Sequence, residues 1–475
     1  VSGDRTLRKT KVIATIGPAC DSTARITQMI EAGMNVARLN FSHGTHDEHR
    51  ERLRRVREAS RALDAHVAVM LDTKGAEIRT GALESGSVEL VEGAPFSLFV
   101  GDALGTKESV SVSYSRLAHD VKLGSAILLD DGRIELRVVR LSDDGIQCEV
   151  VRGGELSSRA GVNVPDASLS LSTVDTDRRD DLRFALEQDV DYVAASFVKT
   201  AADVLEIGRF LEDAGAEIPI IAKIENRAAV ENLDEIVAAA AGTMVARGDL
   251  GVELAVEEVP LVQKRIIRAT VMSGKPVITA TQMLDSMERN SRPTRAEASD
   301  VANAILDGTS AVMLSGETAK GRYPVEAVRT MAKLALKAEA SLRDYGDLQQ
   351  ILPRVTEIVT DAVAQAAVNM ARDLQAAAIL TLTASGRTSR SISKYRPDCP
   401  ILAITRSEQV TRKLALNWGV LAVPFAGEGD DESQVRFGVE RVRTLGLASP
   451  GDVVIVTAGI SGEAGSTNLI RVVRA

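Results

Sequence analysis

The sequence predicts an α/β protein in three parts: a (β/α)8 TIM barrel with an inserted all-β cap domain and a C-terminal open α/β domain. Three observations carry that prediction. Over residues 10–317, short β-branched runs followed by polar turns alternate with helix-period segments, the order that lays parallel strands side by side. There are about eight such runs, the number that closes a (β/α) barrel. The alternation is broken once by a Gly-rich stretch of alternating strands, and it starts afresh after residue 342. The expected division is 1–75 with 172–342 for the catalytic barrel, 76–171 for the inserted β domain or lid, and 343–475 for a C-terminal domain.

In chain order the barrel runs are KVIATIG, NVARLNFS, VAVMLDTKG, DYVAASFV, PIIAKIE, GTMVARGDLG, PVITATQML and SAVMLSGE. Helical segments fall between most of them, including HDEHRERLRRVREASRAL, ADVLEIGRFLEDAG and VPLVQKRIIRATVMSG, each with an apolar stripe. Between the third and fourth runs the helix is replaced by SVELVEG, PFSLFV, AILLDDGRIELRVV and IQCEVV, whose alternation reads as an inserted β domain capping one barrel end. After PVEAVRTMAKLALKAEASL, a helix over ILPRVTEIVTDAVAQAAVNMARDL feeds AAAILTLTAS, PILAIT, VLAVPF, DVVIVTAG and NLIRVVRA. No heptad array, low-complexity block or short-period repeat occurs.

With 475 residues, 45% of them hydrophobic and 26% charged, the chain can bury several cores. Its 57 basic and 66 acidic residues give a net charge of −9, which argues against a nucleic-acid surface and makes any phosphate site a local one. Cys20, Cys148 and Cys399 are odd in number, far apart and form no CxxC, so a reducing, cytoplasmic setting is expected, without disulfides or a thiolate metal site. No run of about 18 apolar residues and no apolar leader is present, so no membrane association is expected. His43, His46 and His49 lie at helical spacing but in no HExxH pattern, and read as a solvated helix face.

In a (β/α) barrel, reactive groups come from the C-terminal ends of the strands, which form one open face. The second run ends in Arg38, Asn40 and Ser42, the third in Asp72, Thr73 and Lys74, and the fifth in Lys223 and Glu225. The sixth ends in Arg247, Gly248 and Asp249, the seventh in Thr281 and Gln282, and the eighth in Ser315 and Glu317. Glu225 and Asp249 supply hard oxygens from neighbouring strands, which suits Mg²⁺ or Mn²⁺ completed by substrate oxygens and water. Asn40, Ser42, Asp72 and the Thr73 carbonyl form a second oxygen-rich set with one formal charge, better suited to a monovalent cation. Arg38 and Lys223 bring positive charge where a phosphoryl group must be neutralised during transfer, and no His or Cys nucleophile competes with them. Positioning and electrostatics would then carry the catalysis.

The runs ARLNFSHG, LDTKGAEIRTG, IAKIEN, MVARGDLGVE, ATQMLDSM, RPTRAE and MLSGETAKGRYP resemble those of the pyruvate kinase family, in its order and over nearly the whole chain. The short start before KVIATIGP resembles bacterial forms without an N-terminal extension. The resemblance implies transfer of a phosphoryl group from phosphoenolpyruvate to ADP, giving pyruvate and ATP, with Mg²⁺ or Mn²⁺ and K⁺ as cofactors and a homotetramer as the assembly. It implies that Arg38 and Lys223 hold the transferring group, that Glu225 and Asp249 bind the divalent ion, and that Asn40, Ser42, Asp72 and Thr73 bind potassium. Gly248, Asp249 and Thr281 match the groups around the substrate carboxylate and the face on which the enolate is protonated. Asn40, His43, Arg79 and Asp131 fall where the family contacts or closes over the nucleotide, and Arg295 in a segment that reaches across a subunit interface. A Glu at the position of Glu77 goes with potassium dependence in the family, and a Lys there with independence.

Two departures stand out. Ala76 replaces a usual proline at the entry to the inserted domain, where φ is then no longer fixed. In RAGVNVPDA, Arg159 replaces one lysine and Ala160 the lysine expected near the nucleotide phosphates. Two other readings compete: a barrel enzyme using a metal-bound pyruvate enolate for carbon–carbon chemistry, against which the inserted domain and monovalent-ion set speak, and a non-catalytic relative, against which the intact site residues speak. The C-terminal domain carries no candidate catalytic cluster. Its TASGRTS stretch places Thr383, Ser385, Gly386, Arg387 and Thr388 between a strand and a helix start, where a phosphate can meet backbone N–H groups, and it matches the family's sugar-phosphate effector loop. The facing loop GISGEAGSTN lacks a basic residue, so a sugar monophosphate or AMP is expected there rather than a bisphosphate.

Overall fold

The computed structural model describes residues 7–75, 78–142, 145–165, 176–346, 358–428, 430–459 and 467–475. Ala76 and Glu77, and most of the GISGEAGSTN loop, lie outside them. Eight parallel strands close a barrel in sequential order: β1 (Lys11–Thr15), β2 (Val36–Asn40), β3 (Ala68–Asp72), β4 (Tyr192–Ala195), β5 (Ile220–Ile224), β6 (Gly242–Ala246), β7 (Val277–Ala280) and β8 (Ala311–Leu314). These are the eight runs expected from the sequence.

Two cores lie on either side of that wall because successive strand residues face opposite ways. Ile13, Val36, Met70, Ala194, Ile221, Met244, Ile278 and Met313 fill the interior. Val12, Ala14, Ala37, Leu39, Val69 and Leu71 face the helices. The helix His46–Ala62 buries Leu53, Val56 and Ala59 and starts at a Thr45 capping box in which Thr45 and Glu48 satisfy each other's backbone N–H groups. Its histidines do not form a solvated face: His43 precedes the helix and is exposed, whereas His49 is 1% exposed and stacks on Phe41 at 4.2 Å between ring centroids. Burial pushes the His49 pKa down to about 4, so the ring is neutral, and its Nε2 lies 2.8 Å from the His43 carbonyl.

Between β3 and β4 the chain builds a seven-stranded sheet, ordered 78–79, 161–163, 126–129, 134–142, 145–152, 95–100 and 109–112, and a two-stranded sheet of 87–90 with 154–157. Phe96, Leu98, Ile127, Leu129, Ile134 and Leu136 form its separate core. The C-terminal sheet has the order 420–424, 401–405, 378–382, 453–458 and 469–474, with the last strand antiparallel. This part closes the bottom of the barrel, where Leu416 packs into the interior core. Three further contacts join them there. Lys11 Nζ donates to the Val420 carbonyl (2.6 Å), Tyr192 Oη donates to the Lys413 carbonyl (2.6 Å), and Arg412 pairs with the fully buried Asp191 (2.8 Å). No helix among the described residues is long and apolar enough to cross a membrane.

Candidate active site

Strand parity decides which side chains reach the mouth of the barrel. Counting in twos from the interior residues Ile13, Val36, Met70, Ala194 and Ile221 leads to Thr15, Arg38 and Asn40, Asp72, Ser196, and Lys223 and Glu225. These residues meet. Arg38 Nε donates to Asp72 Oδ2 (2.7 Å) and its Nη1 to Thr15 Oγ1 (2.9 Å). Lys223 Nζ donates to Ser196 Oγ (2.7 Å) and stands 3.3 Å from both Asp72 Oδ1 and Glu225 Oε2. Ser196 Oγ in turn donates to the Thr73 carbonyl (2.8 Å).

Burial alone would push the Asp72 carboxyl up, but Lys223 and Arg38 outweigh it and hold the group below the usual carboxylate range. Burial would likewise lower Lys223, yet Asp72, Glu225 and Asp249 prevail and raise it, so the ammonium is firmly charged. Glu225 goes the other way. Burial pushes it up to about 7 against the pull of Lys223, and Asp249 adds to the rise. Glu225 Oε1 accepts from the Phe197 N–H (2.5 Å), whereas Oε2 is buried and accepts no hydrogen bond among the described residues, with the Lys223 ammonium 3.3 Å away. A buried carboxylate oxygen so placed is an under-compensated hard donor and fits a divalent cation. Among the described residues no three His, Cys, Asp or Glu side chains cluster into a metal cage.

The oxygen-rich set lies alongside. Asn40 Oδ1 accepts from the Ser42 N–H (3.3 Å), and β2 pairs with β3 so that Asn40 stands opposite Asp72. Phe197, with φ 54°, folds over Gly75, where a Cβ would come within 1.8 Å of its ring, so only glycine fits at the end of LDTKG. Across the mouth, Thr281 Oγ1 accepts from the Gly248 N–H (2.8 Å) and donates to the Ala280 carbonyl (2.6 Å). Gly248 and Asp249 belong not to a strand, as the sequence pattern suggests, but to the first turn of a short helix, Arg247–Glu253.

Other expected residues are more dispersed. His43, Arg79 and Asp131 are exposed. Arg79 Nη1 donates to the Arg159 carbonyl (2.9 Å), and Asp131, at φ 53°, sits at the turn between strands 126–129 and 134–142. Ala160 is buried in the inserted domain's core, so its position supplies no cation. Two strand-end residues turn away from the mouth: Arg247 binds Asp300 and backbone carbonyls, and Glu317 accepts from the Leu284 and Ser315 N–H groups. Sequence reasoning missed Thr15, Ser196 and Phe197. Counting in twos along β1 and β4 would have found the first two. In the C-terminal domain, Thr383 Oγ1 accepts from the Gly386 N–H (2.9 Å) just before the helix Arg387–Lys394, while Ser385 and Arg387 are exposed and Thr388 shares a hydrogen bond with Thr467 (2.7 Å).

A barrel mouth that sets two cations against buried carboxylates, with hydroxyls and backbone N–H groups around them, defines a phosphotransferase in which charge neutralisation does the chemistry. Comparison with known proteins makes the class specific. The family model described as "Pyruvate kinase, barrel domain" matches residues 7–328, and "Pyruvate kinase, alpha/beta domain" matches 361–473. The pyruvate kinase of Geobacillus stearothermophilus is 51% identical over 469 residues, covering 98% of this chain and 80% of that one. That of Bacillus licheniformis is 49% identical over the same shares. A crystal structure of a pyruvate kinase from Cryptosporidium parvum superposes with a TM-score of 0.93 at 40% identity, covering 98% of this chain and 96% of that one. The chain belongs to the pyruvate kinase family. It transfers the phosphoryl group of phosphoenolpyruvate to ADP, giving pyruvate and ATP, the last step of glycolysis, and the family requires a divalent cation for it.

Proposed function

We infer that Arg38 and Lys223 grip the transferring phosphoryl group, that Glu225 and Asp249 hold Mg²⁺ or Mn²⁺, and that Asn40, Ser42, Asp72 and the Thr73 carbonyl hold K⁺. The observation that carries this reading is the Lys223 ammonium, 2.7 Å from Ser196 and 3.3 Å from two buried carboxylates, beside a Glu225 oxygen that accepts no hydrogen bond among the described residues. The divalent ion, once bound, supplies charge that polarises substrate oxygens.

The chain's own groups do the rest. Arg38 and Lys223 share Asp72 as counter-ion, and an arriving phosphoryl group takes over part of that pairing. As the P–O bond of phosphoenolpyruvate breaks and a new one forms to the terminal ADP oxygen, the enolate left behind takes a proton at its methylene carbon. Thr281 faces that carbon, and with Gly248 and Asp249 it flanks the substrate carboxylate. Asn40, His43, Arg79 and Asp131 surround the nucleotide as the inserted domain closes, with less cationic help than usual because Ala160 carries no charge.

We assign 1–75 with 172–342 to the catalytic barrel, 76–171 to the inserted lid domain and 343–475 to the C-terminal regulatory domain. The protein is a cytoplasmic homotetramer in which Arg295 meets a neighbouring subunit, and the Thr383–Thr388 loop, with Ser385, Gly386 and Arg387, takes a sugar monophosphate or AMP as activator. Glu225→Gln tests the metal assignment. It raises the half-activating Mg²⁺ concentration at least about 10-fold and lowers kcat, and an unchanged metal titration overturns it.

A further inference from the structure

Thr281 is β-branched, yet its φ is 68°, and Gln282 follows at 53°. Two consecutive non-glycine residues in the left-handed region make a strained turn that surrounding contacts must hold in place. The contacts are specific. Arg247 Nε donates to the Ala280 carbonyl (3.2 Å) and its Nη2 to the Thr281 carbonyl (2.7 Å). The same guanidinium is braced from behind, because Nη1 donates to both carboxylate oxygens of Asp300 (2.7 and 2.8 Å). On the far side of the turn, the buried Glu317 carboxylate accepts from the Leu284 N–H (3.0 Å). The turn is therefore held by a cation on its carbonyls and an anion on its amide side.

The geometry reaches the reacting group. Thr281 Oγ1 donates to the Ala280 carbonyl, the oxygen that Arg247 Nε also binds, and it accepts from the Gly248 N–H, the residue next to Arg247. One planar guanidinium thus fixes the backbone on both sides of the Thr281 Cα. A lysine would not reproduce it, since Arg247 meets the Ala280 carbonyl, the Thr281 carbonyl and Asp300 with three separate nitrogens of a rigid fork, and a lysine offers only one nitrogen.

We propose that Arg247, braced by Asp300, is a positioning residue of the phosphoryl-transfer reaction, holding the left-handed turn so that the Thr281 hydroxyl faces the enolate carbon. This rests on the assignment of Thr281 to that face. Misplacing a reacting group by about 1 Å costs on the order of 10²-fold in rate, so Arg247→Lys lowers kcat about 10- to 100-fold while the half-saturating phosphoenolpyruvate concentration changes less than about 3-fold.

The deciding experiment is a double-mutant cycle with Thr281→Val, read in steady-state kcat and KM. If Arg247 acts through Thr281, the Arg247→Lys, Thr281→Val double variant is no more than about 2-fold slower than Thr281→Val alone. Should Arg247→Lys not fold, Asp300→Asn enters the cycle in its place with the same expectation. Losses that multiply in full overturn the proposal while leaving Thr281 in the reaction, and so does a rise in KM with kcat unchanged. A Thr281→Val variant with parental kcat overturns the assignment beneath it.

Discussion

Replacing Lys223 with methionine keeps the length and apolar stem of the side chain and removes one charge. The ammonium it removes is 13% exposed, donates to Ser196 Oγ at 2.7 Å and stands 3.3 Å from Asp72 and Glu225. Orphaning a buried charge ordinarily costs about 3–5 kcal/mol. Here the cost is smaller, because Asp72 keeps Arg38 at 2.7 Å and Glu225, already pushed up to about 7, can take a proton near neutrality. The variant therefore folds, and its defect is catalytic. Losing one preorganised electrostatic donor costs about 10² to 10³ in kcat, roughly 2.7–4 kcal/mol of transition-state stabilisation. Because the phosphoryl charge to be neutralised is most demanding during transfer, KM for phosphoenolpyruvate changes less than kcat. Pyruvate release followed through lactate dehydrogenase, beside a thermal melt, measures both effects. A folded variant with near-parental turnover removes Lys223 from the phosphoryl path.

Three further outcomes are expected. Activity falls strongly when potassium is replaced by a large organic cation at constant ionic strength, and Glu77→Lys relieves the requirement; equal rates in the two salts defeat the monovalent-ion reading. A sugar monophosphate or AMP lowers the half-saturating phosphoenolpyruvate concentration several-fold, which needs a coupling of only about 1–3 kcal/mol. Thr383→Ala with Ser385→Ala abolishes that response and spares the maximal rate, and a double variant that responds like the parent moves the effector elsewhere. Lys11 is buried against the Val420 carbonyl, and burial, with Arg8 adding and Glu339 opposing, pushes its pKa down to about 7. Since an unfolded lysine titrates near pH 10.4, the unfolded chain carries the extra proton between those values, and stability rises with pH across that window. The Tm advantage of Lys11→Met over the parent therefore shrinks from pH 7 to pH 10, and a pH-independent difference refutes the assignment.

The barrel was legible because its strands are short, β-branched and separated by capped amphipathic helices, so each of the eight runs could be read locally. The residues at the barrel mouth were legible for a related reason: parity along a parallel strand continues past its end, and Val36 in the interior dictates Arg38 and Asn40 at the mouth. Where the chain leaves the strand, parity stops informing. Arg247 and Glu317 look like strand-end charges in the sequence but stand in short helices, Arg247–Glu253 and Gly316–Ala319, and turn to bind backbone. His49 was read by spacing alone, which gives the face of a helix but not what packs on it, and Phe41 comes from the preceding strand end. The inserted domain was legible as β structure and not as a sheet, since pairing 78–79 with 161–163 joins segments some 80 residues apart that no local pattern links.

The charge arrangement explains how an acidic chain binds a highly anionic substrate. A net charge of −9 gives no long-range attraction, so selectivity must come from a few cations held out of water. Taking Arg38 and Lys223 out of water without partners would be prohibitive, and Asp72 solves that by neutralising part of both. The solution leaves a residue of imbalance in one place. Glu225 shares Lys223 with Asp72, each 3.3 Å from the ammonium, and burial with Asp249 nearby raises its pKa. If Glu225 holds the divalent ion and Lys223 the phosphoryl group, as proposed above, the ion would supply the positive charge that Glu225 lacks, and Lys223 could then turn from carboxylate to phosphoryl oxygen. On that reading metal and substrate binding would be coupled through one ammonium group, and Lys223→Met should weaken the dependence of phosphoenolpyruvate affinity on metal concentration as well as slow the transfer; an unchanged metal dependence in the variant refutes the coupling.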